Sequence, residues 1–317
     1  MSAEIKSVLL LAHGSPDSAA EVPEFLRKVT GGRPVPPPVV KEVTQRYRLI
    51  GRSPLTDITL RQADAVSGEL GLRVYVGMRN WRPFIADTVR RMGIDGVKRA
   101  VAICLAPQNS RTSVGLYRSA LMGAGPPPFP IDFVDSWHDH PLLIRAFAQK
   151  LRDGWKRACF EASERVPIIF TAHSVPQHTV AEGDPYEVQA RETASLVAMD
   201  VPAVSAEDWT FAFQSQGMSG GPWLGPSVEE TILALKQKGH TGVFIQPIGF
   251  LCDHVEVLYD IDIAFKKFAE QNGMKLWRAE SLNVSPLLTA ALGGVARSRL
   301  ASAPARVKPA AKPAYKK

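Results

Sequence analysis

Cysteine is scarce in this 317-residue chain, which has only Cys104, Cys159 and Cys252 and no C-x-x-C pair. That scarcity argues against a disulfide scaffold and against the usual cysteine frameworks for zinc, and it fits a reducing compartment. Long apolar runs are missing too, since nothing approaches the roughly 18 residues of a membrane span. Near the start, Lys6 precedes only a short apolar run that ends at His13, which is not the pattern of a signal peptide. A cytoplasmic protein with at most peripheral membrane contact is expected. The main body also lacks strong charge of one sign. The formal charge is +7, but residues 301–317 hold Arg306, Lys308, Lys312, Lys316 and Lys317 and no acid, and removing those five leaves +2. The basic balance therefore belongs to a Pro/Ala/Lys tail, expected to be disordered, and no nucleic-acid partner is expected.

What is present is alternation. Short β-branched runs near 7–12, 72–77, 99–105, 131–135, 166–171, 209–214, 242–248 and 275–279 are separated by longer segments of helical period. This predicts an α/β fold of two Rossmann-like domains, each a parallel sheet flanked by helices. The expected division is 1–150 and 151–300, with the last helix packing back on the first domain and 301–317 as the tail. Two proline-rich stretches, 34–38 and 126–130, read as loops.

The most informative segment is Gly249-Phe250-Leu251-Cys252-Asp253-His254-Val255-Glu256-Val257-Leu258-Tyr259-Asp260, a small-residue loop running into a predicted helix. Glu256 and Asp260, four apart, would share one face of it. A plainer reading takes Asp253 as a helix cap with Glu256 as its reciprocal acid. Earlier, Phe170-Thr171-Ala172-His173-Ser174-Val175-Pro176 sets a histidine where an apolar strand runs out. A neutral imidazole accepts a proton near pH 7 or binds a borderline metal, and a carboxylate opposite it can do either as well. For His173 the plainer reading is a histidine satisfied by backbone groups. Ligands of such folds lie outside the carboxyl ends of the strands, where His13, His173 and the 249–253 loop fall.

Both segments resemble the ferrochelatases. So do Ala12-His13-Gly14-Ser15-Pro16, the run from Arg46 through Ser53-Pro54-Leu55, the run Gly77-Met78-Arg79-Asn80-Trp81-Arg82-Pro83-Phe84-Ile85, and Pro222-Trp223-Leu224-Gly225-Pro226. The likeness extends from Leu9 to about Leu300 and is nearest to the coproporphyrin III branch. It implies a lyase of haem biosynthesis that inserts ferrous iron into a porphyrin, with coproporphyrin III favoured over protoporphyrin IX. It implies His173 and Glu256 as the catalytic pair, and His173, Glu256 and, more weakly, Asp260 as metal-handling groups. Arg46, Tyr47, Ser53 and Tyr117 are implied as contacts to the tetrapyrrole and its carboxylates. Iron and porphyrin are substrates, haem is the product, no resident cofactor is required, and a monomer is expected. Some family members carry an iron–sulfur cluster on C-terminal cysteines, but no cysteine follows Cys252 here, so none is expected.

Three positions depart from the pattern. His13 stands where the coproporphyrin-type enzymes have a tyrosine facing the metal from the opposite side of the ring, and it also resembles the N-terminal histidine of the small cobalt and nickel chelatases. Ala264 interrupts the acidic ladder a turn beyond Asp260. Thr30 lies where those enzymes have a further arginine, with Arg33 nearby. Trp81, Trp137, Trp209 and Trp223 could line a flat cleft, with Trp209 assigned to the core, and His138-Asp139-His140 reads as a loop. Two rival classes remain at this level: a non-catalytic porphyrin or haem carrier, and a serine hydrolase built on Gly217-Met218-Ser219-Gly220-Gly221. The second is disfavoured because Pro222, Gly225 and Pro226 forbid the helix such an elbow needs.

Overall fold

The β-branched runs pair into two all-parallel, four-stranded sheets, seen in a computed structural model that describes residues 5–123, 125–216 and 221–302. The first contains β1 (Lys6–Ala12), β2 (Arg73–Met78), β3 (Arg99–Cys104) and β4 (Ile131–Val134) in the order β2-β1-β3-β4. The second contains β5 (Ile168–His173), β6 (Trp209–Gln214), β7 (Gly242–Pro247) and β8 (Lys275–Arg278) in the order β6-β5-β7-β8. Parallel sheets bury both faces, which is why these strands read as continuous apolar runs and not as alternating ones.

Helices cover both faces. In the first half they are α1 (Val22–Val29), α2 (Pro37–Ile50), α3 (Leu55–Leu70), α4 (Ile85–Ile94) and α5 (Val114–Met122). The second half adds α6 (Pro141–Ala162), α7 (Gln177–Ala181), α8 (Tyr186–Met199), α9 (Val228–Gln237), α10 (Val255–Leu258), α11 (Lys266–Gln271) and α12 (Pro286–Ala301). Outward residues of β1 and β3 such as Leu9, Leu11 and Ala102 pack with Ile85, Val89 and Val114. The opposite faces, with Val8, Leu10, Val101, Phe170 and Phe244, join Phe147, Leu151 and Leu292 in one core shared by both halves. The long helix α6 lies close on the second sheet, since a Cβ on Gly154 would come within 2.8 Å of Phe244. The last helix, α12, returns to the first half: Arg99 of β3 donates to the carbonyls of Leu300, at 3.2 Å, and Arg299, at 2.9 Å.

Several expectations are corrected. The run 254–271 is not one α-helix. After α10 it widens into a π-helical segment, Asp260–Phe265, in which Ala264 N–H donates to Tyr259 O at 2.9 Å. Asp253 does not cap it. The cap position is His254, and the Asp253 carboxylate instead accepts from Ser281 at 2.7 Å and Asn283 at 2.8 Å. Pro37 and Pro38 are not loop residues but open α2, where a proline's missing N–H costs nothing. Trp81 and Trp137 are buried core residues whose indole N–H groups donate to Asp17 and to the Cys104 carbonyl. The hydrolase-like run 217–220 lies outside the described residues, as does the tail from 303. From Gly221 the chain stays irregular until α9 opens at Val228.

Candidate active site

The carboxyl ends of both sheets supply the reactive groups. His173 is the last residue of β5, and its Nδ1–H donates to the Ser174 carbonyl. A carbonyl only accepts, so Nδ1 carries a proton, and in the neutral form of the ring Nε2 presents a lone pair. The loop after β7 comes alongside because Gly249 has no side chain: a Cβ there would lie 3.0 Å from that of Ala172. This brings Glu256 between two imidazoles. Its Oε1 is 3.9 Å from His173 Nε2, and its Oε2 is 3.8 Å from His254 Nε2.

Burial alone would push the Glu256 carboxyl up, but His173, His254 and His13 together hold it down at about 2. His254 is itself held above its ordinary value, because Glu256 and Asp260 outweigh the effect of burial. Asp260 behaves in the opposite way. Burial and the neighbouring Glu256 push it up to about 6, against the Ser215 hydroxyl, which donates to it, and Arg46. The two neighbouring carboxylates thus differ widely in proton affinity, Glu256 favouring its ionised form and Asp260 titrating nearer neutrality. Cys252, in the same loop, is pushed by burial up to about 12 and stays a thiol. Among the described residues no three His, Cys, Asp or Glu side chains form a preformed metal cage.

The first half forms the other wall. His13 follows β1, with Nδ1 3.0 Å from the Gly14 carbonyl and Nε2 3.0 Å from the Asn80 amide. Burial and the Arg79 cation lower it to about 4, so it is a neutral imidazole. Gly14 fixes the turn, having φ of +85° and a hydrogen where a Cβ would sit 2.8 Å from Trp81. Tyr47 is buried with its hydroxyl 3.0 Å from Ser15 Oγ, and burial raises it to about 12. Ser53 and Tyr117 are also buried, and the Ser53 hydroxyl has no partner. The fold thus buries all three of these side chains. Arg46 bridges the walls, pairing with Glu42 at 2.5 Å and with Asp260 at 3.4 Å and stacking on Tyr259 at 5.0 Å.

His173, Glu256, Asp260 and His13 thus converge electrostatically. Four participants went unassigned in the sequence, namely His254, Ser215, Arg79 and Asn80. His254, Arg79 and Asn80 stood inside the motifs already singled out, but nothing local distinguished them. Ser215 carries only a left-handed φ of 59° as its mark, which a sequence does not display. Asp262, beyond Asp260, pairs with Arg278 at 2.7 Å and is turned away from this cluster. In the His138 loop, His138 binds Ser136 and Glu192 at 2.7 and 2.9 Å and joins the halves, while His140 caps α6.

This is the fold of the chelatases. Bacillus subtilis SirB, solved with Fe3+, superposes with a TM-score of 0.58 over 93% of this chain and 95% of its own, at 10% identity. CbiX, the terminal enzyme of sirohaem biosynthesis in denitrifying bacteria, gives 0.52 over 92% and 98%, at 14% identity. At the level of sequence, the Ferrochelatase family profile matches residues 6–300. The ferrochelatase of Acidobacterium capsulatum is 54% identical over 94% of this chain and 95% of its own. A coproporphyrin III ferrochelatase of Geobacillus is 34% identical over 95% and 99%. The chain belongs to the ferrochelatase family. Its activity is the lyase reaction of that family, insertion of iron into a porphyrin in haem biosynthesis. No helix among the described residues is long and apolar enough to cross a membrane.

Proposed function

We propose that this protein inserts Fe²⁺ into coproporphyrin III, with His173 and Glu256 as the catalytic pair. The observation that carries this reading is the facing of two proton- and metal-binding groups: Nε2 of His173 and a Glu256 oxygen stand 3.9 Å apart, beyond direct hydrogen-bond distance. That gap suits a cation, either a proton leaving a pyrrole or an arriving metal ion. Metallation releases two pyrrole protons for each iron bound. His173 takes a pyrrole proton at Nε2, and Glu256, kept ionised, stabilises the imidazolium that results. Asp260, with its affinity near neutrality, passes protons onward and is a weaker metal ligand. His13, neutral and at the end of β1, would face the opposite side of the ring and could offer its Nε2 only on leaving Asn80.

Arg46, Tyr47, Ser53 and Tyr117 bind the macrocycle, Arg46 exchanging its Asp260 contact for a propionate. The identity to coproporphyrin III ferrochelatases supports the choice of porphyrin. On this reading the chain works as a cytoplasmic monomer without a resident cofactor. Anaerobic turnover with Fe²⁺ and, separately, coproporphyrin III and protoporphyrin IX tests it, followed by loss of free-base absorption beside His173→Ala. Insertion into coproporphyrin III that disappears in the variant is expected. Binding of both porphyrins with no rate above a protein-free blank would instead mark a carrier.

A further inference from the structure

Arg79 follows β2, and its backbone N–H donates to the Ala12 carbonyl at 3.0 Å, which locks the segment to the end of β1. Its guanidinium is drawn inward over the ring of Tyr117, 5.5 Å from the centroid. No carboxylate among the described residues pairs with it. One end of the Asn80 amide lies 3.2 Å from Nε and 3.3 Å from Nη2, and that same end faces His13 Nε2 at 3.0 Å, so Arg79 and His13 compete for one group. The remaining nitrogen, Nη1, is buried with no partner at all. Arginine stays charged inside proteins, and a buried cation without an anion is costly. Arg46, the other arginine at the site, is by contrast ion-paired with Glu42 and Asp260.

We infer that Arg79 is a carboxylate-binding residue, receiving a propionate at the edge of the macrocycle that lies over Tyr117. This rests on the reading of the cleft as a coproporphyrin site. The unpartnered Nη1 end of the guanidinium matches a carboxylate oxygen, which would satisfy it with a charge-assisted hydrogen bond. Arg46 and Arg79 stand on different elements of the first half, one on α2 and one beside α5, so together they address carboxylates on more than one edge of the ring. Coproporphyrin III carries a carboxylate on each of its four pyrroles, whereas protoporphyrin IX has two and bears vinyls on the others. A vinyl beside Arg79 would leave the cation buried and unpaired, which makes this residue a selector for the four-carboxylate substrate.

The test is porphyrin binding by fluorescence titration with the full-length wild type, Arg79→Met and Arg79→Lys, together with the melting temperature of each empty protein. Arg79→Met is expected to weaken coproporphyrin III about ten- to a hundredfold, to leave protoporphyrin IX within twofold, and to melt no lower than wild type because a buried charge has gone. Arg79→Lys keeps the cation but loses the fork, and should give an intermediate loss while guarding against misfolding of the methionine variant. Coproporphyrin III affinity within twofold of wild type in both variants overturns the proposal. So does equal weakening of both porphyrins with a lowered melting temperature. Failure of the substrate reading looks different: wild type itself would then metallate protoporphyrin IX and not coproporphyrin III.

Discussion

The two sides of the site, one from each sheet, are built from similar strand ends but are charged in different ways. On the wall of the second sheet, Glu256, His254, Asp260 and Ser215 answer one another, and each acid's proton affinity is displaced by its neighbours. On the wall of the first sheet, His13 is neutral, Ser53 is unsatisfied and Arg79 lacks an anion. On the proposed reading the first arrangement would handle protons and metal cations, and the second would be completed by an anionic, flat ligand. The difference is instructive because mutual compensation of acids and imidazoles dominates one side, whereas a cation without an anion dominates the other.

The strongest way to break this comparison is to treat His173 and Glu256 as independent. Each of His173→Ala and Glu256→Gln should lower the insertion rate about 10²- to 10⁴-fold, and the double variant should be little worse than the poorer single one, because the two act as a unit. Stopped-flow metallation of all four proteins measures this, and multiplicative losses would show that the pair is not a unit.

A second test concerns compensation itself. Asp260, raised from 3.8 to about 6, keeps its proton in the fold after the unfolded chain has lost it. Its favourable contribution is complete below about pH 4 and is lost as pH rises through 6. Relative to Asp260→Asn, the metal-free wild type should therefore lose about 2 kcal/mol between pH 4 and 7. Urea denaturation at a series of pH values reads this directly, and parallel curves for the two proteins would contradict it. Glu256, held down at about 2, acts in a lower window, where stability is lost as pH falls from 4.5.

The smallest expected effect sharpens the picture of the other wall. Asn80→Ala removes the partner of His13 Nε2 and should cost about 1 kcal/mol of stability. It should also free that nitrogen, visible as a stronger axial-nitrogen signature in the absorption spectrum of the ferric porphyrin complex. An unchanged spectrum would mean that His13 does not reach the iron.

Much of this was legible in the residues. Continuous apolar runs at regular spacing announced both sheets, because parallel strands buried on both faces need no polar alternation. The strand-end positions of His13 and His173 followed from where those runs stop. Less legible was the segment after Glu256, since an α-helix and a π-helical widening share nearly the same sequence preferences and differ by one residue in the hydrogen-bonding ladder. The plainer reading of Asp253 as a cap does not hold because Ser281 and Asn283, 28 and 30 residues away, take its carboxylate.

The sequence by itself determined the family, the two sheets and the residue types at their carboxyl ends, because local periodicity and short motifs are properties of neighbours along the chain. Only the tertiary structure decided which groups would be paired. Glu256 stands between two histidines and Asp260 beneath Arg46, while Nη1 of Arg79 is buried without a partner. Those outcomes depend on distances between segments up to 214 residues apart, such as Arg46 and Asp260, and on the water that folding removes from between them.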